Sequence, residues 1–145
     1  MTCLPMPEMI ELPAKCPQYV QDELRAAYAL FWPNQSACAG RIRVALEYLM
    51  DHVGIPRQEV DKNGKTRVLS LHARIDMFTM KEPTTASQLM ALKWLGNTGS
   101  HHSKVSKEEL LDAFEIMEHA LAEIIDSPSA RVAKLAEELT KKHGS

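Results

Sequence analysis

The segment Gly96-Asn97-Thr98-Gly99-Ser100-His101-His102 ends the apolar run Leu92-Lys93-Trp94-Leu95 and gathers the side chains of this chain best suited to chemistry. Imidazole exchanges a proton near neutral pH, so His101 is the first candidate for a general acid or base, with His102 beside it. The Asn97 carboxamide both donates and accepts hydrogen bonds and can orient a phosphate or an imidazole. The same residues also have a purely architectural use, with Asn97 capping a helix end or the following turn and His101 bonded to a backbone carbonyl.

A second set lies upstream. Arg41, Arg43 and Glu47 fall in one helical stretch, and Arg43 and Glu47, four residues apart, share a face. A guanidinium can grip phosphate or carboxylate through two parallel hydrogen bonds. The simpler alternative is an ion pair within the helix, worth a few tenths of a kcal/mol. Metal chemistry is not expected: His101 and His102 are adjacent and diverge, and neither HExxH nor paired-cysteine spacing occurs. The glycines at 96 and 99 lack the GxxxxGK[ST] order of a phosphate loop and follow no strand. No cofactor is expected.

The elements that must position these residues are helices. Val20, Leu24, Ala27 and Phe31 recur at helical spacing, giving helix one at about 17–32, with Pro17 in its first turn and Trp32-Pro33 at its end. Asn34 or Ser36 can cap helix two, whose stripe is Ile42, Leu46, Leu49 and Val53 and which Gly54 and Pro56 terminate. Residues 54–67 form a polar loop whose Asn63-Gly64 turn is as compatible with a short hairpin as with a solvated loop. Helix three spans Val68 to Lys81, with Leu71, Ile75 and Phe78 inward. Helix four starts at Thr84 or Thr85 and carries Leu89, Leu92 and Leu95 up to Gly96. Ser106 with Glu109 makes a capping box for helix five, and Ser127-Pro128 opens an amphipathic helix six. The expectation is an all-α, antiparallel bundle of about six helices. It divides into an extended arm over 1–16, a helical domain over 17–126, and a C-terminal helix over 127–145 that packs on the domain or on a partner.

Composition narrows the function classes. With 145 residues, 45% hydrophobic and 25% charged, this is an ordinary globular chain of one-domain size. A net charge of −2 provides no broad basic field, so any nucleic-acid contact must be local. The three cysteines form no CxxC pair and suit a reducing, cytoplasmic setting. No secretory leader is read in Met1–Leu12, and no apolar stretch approaches the ~20 residues of a membrane helix.

Three blocks carry a resemblance. Arg43-Val44-Ala45-Leu46-Glu47, Leu71-His72-Ala73-Arg74-Ile75 and Gly96-Asn97-Thr98-Gly99-Ser100-His101 follow one another in the order Arg-x-Ala-Leu-Glu, Leu-x-x-x-Ile and Gly-Asn-x-x-x-His. From about Pro17 to Ile125 the chain resembles a bacterial domain family of unassigned function, found alone or in restriction-type and defence proteins and placed near the HEPN helical superfamily. The resemblance implies a HEPN-like bundle, a homodimer, RNA or a nucleotide or a protein encoded nearby as further partners, and no membrane contact. In its enzymatic form it implies metal-independent RNA cleavage at a composite dimer site. His101 would then be the acid/base, Asn97 the polar positioner and Arg43 the phosphate holder. Arg41, Glu47, Lys93 and His102 would contact substrate or support those that do. The ribonuclease motif carries an arginine four to six residues before its histidine, where this chain has Leu95, Gly96 and Asn97, and Lys93 stands where members of the family it resembles often carry an arginine just before the glycine-asparagine pair. A lysine cannot fork to a phosphate. The expected function is therefore a HEPN-like binding and dimerisation module in a bacterial or phage conflict system, with endoribonuclease as the alternative. Either reading requires helices two and four to lie side by side.

Overall fold

The computed structural model describes residues 8–97 and 104–144, with the side chains of Gly96 and Asn97 left out. Six α-helices appear among them: α1 (Gln18–Leu30), α2 (Gln35–His52), α3 (Leu71–Phe78), α4 (Pro83–Asn97), α5 (Lys107–Leu121) and α6 (Pro128–His143). Five of these have 13 residues or more, so the expected six is reached only by counting the two-turn α3. The all-α expectation holds at this level, with one small sheet added.

Local chemistry sets the boundaries. Asn34 caps α2 by accepting from the Ala37 N–H at 3.0 Å. Gly54, at φ 84°, takes the left-handed conformation just past the end of α2. The polar loop folds as a hairpin of β1 (Gln58–Val60) and β2 (Thr66–Val68), antiparallel, with Glu59 opposite Arg67. Its turn is held by Asp61, whose Oδ1 accepts from Asn63 N–H and Lys65 N–H at 2.9 Å each, and by Gly64 at φ 79°. Helix three had been expected to begin at Val68. It begins three residues later because Val68 pairs in β2 and Ser70, accepting from Ala73 N–H, is the cap. Helix α4 opens at Pro83, just ahead of the expected Thr84 or Thr85, since a first-turn residue needs no N–H donor. The predicted capping box at Ser106 and Glu109 is present.

Helix α2 is the central element, packed against α1, α3, α4 and α5, and α4 packs in turn on α3 and α5. Ile42, Leu46 and Leu49 of α2, Val20 and Leu24 of α1, Leu89 of α4 and Leu110 and Met117 of α5 form one continuous core. Each such side chain contributes about 1.5–3 kcal/mol on burial. Tyr28 and Phe31 lean on Phe114, with ring centroids 5.4 and 6.5 Å apart. The part of the N-terminal arm that is described is docked, not free: Ile10 and Cys16 are buried, and the Glu11 N–H donates to Glu118 Oε2 at 2.6 Å. After α5 a π-helical turn, Ala122–Asp126, leads to Ser127, whose hydroxyl caps α6. No helix among the described residues is long and apolar enough to cross a membrane.

Candidate functional site

The packing of α2 on α4 meets the condition on which the expected site depended. On α4, Leu89, Leu92 and Lys93 are buried, so Lys93 occupies an inward position one turn after Leu89. Its Nζ donates to His72 Nδ1 of α3 at 3.1 Å and lies 3.3 Å from the centroid of the Trp94 ring. The same indole takes the His72 ring edge-on at 6.1 Å. An ammonium against an aromatic face is electrostatically favoured. It does not replace the lost hydration here, because burial first, and the nearby positive charge of Arg43 second, push the Lys93 pKa below its ordinary value. Arg43 of α2 and Lys93 of α4 therefore feel each other's charge across the helix seam. Among the described residues Lys93 has no carboxylate partner. Trp94 is 56% exposed and His72 is exposed, so the seam has a wet, aromatic rim.

Two carboxylates of α2, Glu47 and Asp51, are held by arginines. Arg74 of α3 is fully buried and donates five hydrogen bonds: to Glu47 Oε2 at 2.7 Å, Asp51 Oδ1 at 2.6 Å, and the carbonyls of Glu47 (3.1 Å), Ile55 (2.9 Å) and Pro56 (3.2 Å). Asp51 also accepts a two-pronged contact from Arg57, through Nε at 2.9 Å and Nη2 at 2.6 Å. The Arg57 hydrogen bonds, then those of Arg74, hold the Asp51 carboxyl below its usual range against the opposing effect of burial. This network fastens α3 and the hairpin to the C-terminal half of α2. It thereby fixes where His72, two residues before Arg74, meets Lys93.

The sequence-predicted residues are thus only partly brought together. Arg43 and Lys93 share the α2–α4 seam. Glu47 does not support Arg43 as the resemblance implies: its carboxylate receives Arg74. Arg41 turns to α1, where its Nη1 meets Glu23 Oε2 at 3.1 Å. Asn97 is the last residue of α4, one turn beyond Lys93. His101 and His102 lie outside the described residues. Sequence reasoning missed His72, Arg74 and Trp94. A signal existed for Arg74: it sits with Leu71, Ile75 and Phe78 at i, i+3, i+4 and i+7, on the inward stripe, where a guanidinium requires acidic partners. Lys93 occupies the corresponding position on the stripe of Leu89 and Leu92. Among the described residues no group of three or more His, Cys, Asp and Glu side chains converges to hold a metal ion.

Neither a curated protein nor a solved structure matches the chain. A family model does, over residues 25–142, from within α1 to the last turn of α6, and its span includes every residue of the Arg43–Lys93 seam and of the Arg74 network. The chain belongs to the family described as Domain of unknown function (DUF4145).

Proposed function

We propose that this chain is a helical binding module that takes a phosphate group of a nucleic acid or nucleotide at the α2–α4 seam. Arg43, half-buried at the edge of the seam, is the group that reaches the ligand. Lys93 supplies a second positive charge from beneath, and Trp94 and His72 offer aromatic surface to a base or sugar. The observation that carries the reading is a buried lysine within reach of Arg43's charge, with no carboxylate beside that lysine among the described residues. An anion there relieves the mutual repulsion of the two cations and favours the lysine's charged form.

The order of Gly96, Asn97 and His101 just past Lys93 supports a HEPN-like architecture and a role in bacterial or phage conflict systems. A reducing, cytoplasmic setting goes with it: burial pushes the thiols of Cys16 and Cys38 up to about 11, and both are free. The same motif supports the alternative, a metal-independent endoribonuclease with His101 as acid/base in a homodimer.

The test is fluorescence anisotropy with a labelled single-stranded RNA over a range of salt. One neutralised phosphate gives a log–log salt slope of about −0.7, and Arg43→Gln brings it toward zero. Equal affinity and slope in wild type and Arg43→Gln would overturn the proposal. Cleavage of the RNA in EDTA, abolished by His101→Ala, would replace it with the ribonuclease reading.

A further inference from the structure

Helix α6 presents its apolar side away from its own domain. Val132, Leu135 and Leu139 are 59%, 52% and 62% exposed, and no residue of the helix is buried. The helix packs chiefly on the π-helical turn before it. Two clefts of about 410 and 430 Å³ separate it from the body, lined on the α6 side by Ala130, Ala133, Lys134 and Glu137 and, in the smaller, also by Arg131. At about 100° per residue, the side carrying Ala130, Lys134 and Glu137 is opposite the side carrying Val132, Leu135 and Leu139. The polar face thus looks inward over the clefts and the apolar stripe looks outward, the reverse of a helix that packs on its own core.

The charges beside the stripe select its occupant. One flank carries Arg131, two turns on Glu138, and in the last turn Lys142; the other carries the small, uncharged Ser129, Ala136 and Thr140 and, in the last turn, His143. We infer that this stripe pairs with the α6 stripe of a second copy of the chain, antiparallel about a two-fold axis. That arrangement sets Val132 against the second copy's Leu135, and Arg131 against the second copy's Glu138, each contact made twice by symmetry. The small flank lets the two backbones approach. A parallel pair would place Arg131 opposite Ala136 and leave its charge unmatched. The inference stands on α6 alone and does not depend on the phosphate reading.

Sedimentation of the full chain across micromolar concentrations tests it. Wild type forms a reversible dimer, and Leu135→Glu, at an exposed position that the fold of the body does not use, weakens dimerisation by about tenfold or more. Arg131→Glu and Glu138→Arg each weaken it severalfold, and the two together restore it. A wild-type monomer throughout, a dimer indifferent to Leu135→Glu, or a double variant no better than either single one would overturn the inference. Unchanged circular dichroism shows that each variant keeps the fold.

Discussion

Replacing Arg74 by methionine keeps most of the side chain's length and removes its guanidinium. Five hydrogen bonds disappear, two of them to carboxylates. The carbonyls of Glu47, Ile55 and Pro56 lose a donor, whereas the carboxylates keep part of their solvation, being 28% (Glu47) and 30% (Asp51) exposed. Asp51 also keeps Arg57. Removing one member of a buried ion pair costs about 3–5 kcal/mol, and the partial exposure of both acids places this case near the lower end, about 3 kcal/mol. For a domain with a total stability of about 5–15 kcal/mol that is a large share. It corresponds to a fall in Tm of about 10 °C. Arg74→Lys keeps a charge and loses the fork, so it falls between the two. Thermal and urea unfolding followed by circular dichroism at neutral pH measure all three. An Arg74→Met variant within about 1 kcal/mol of wild type would refute the claim that this arginine fastens α3 and the hairpin to α2.

Acid sensitivity follows from Asp51. Its folded carboxyl titrates below the ordinary 3.8, so its contribution is present above that value and is lost as the pH falls through the lower folded value. Asp51→Asn should flatten that acid limb in a pH series of urea midpoints. In a Cys3→Ser background, Cys16 and Cys38, buried and raised to about 11, should resist a thiol reagent at pH 8 until the protein is unfolded. Burial disfavours the charged form of Lys93 in the folded state, so at neutral pH the ammonium weakens the fold and Lys93→Met should melt at or above the wild-type temperature. A marked drop in its Tm would mean that Lys93 serves the fold instead of a ligand.

Much of the architecture was legible because helix signals are local. The Asn34 cap, the Ser106 box and the Ser127-Pro128 start each act within four residues, and each appears where the sequence places it. The hairpin was harder, because Asn63-Gly64 marks a turn without saying whether the flanking residues pair, and Val60 and Val68 remain exposed and give no buried alternation. The site was legible only in part. Arg43 and Lys93 could be named, but that Glu47 would serve Arg74 and not Arg43 depends on how α3 docks, a long-range fact. Arg41 shows the same limit: its helix is plain in the sequence, but its partner Glu23, on α1, is fixed only by how the helices pack.

A pH titration of the Lys93 side-chain resonances, with and without inorganic pyrophosphate, reaches the central claim most directly. In the free protein Lys93 should titrate below its ordinary 10.5, and the bound anion should carry it back up toward that value. The same Lys93 titration with and without pyrophosphate, at concentrations where the free phosphate groups are in large excess, would contradict the assignment of the Arg43–Lys93 seam as a phosphate site.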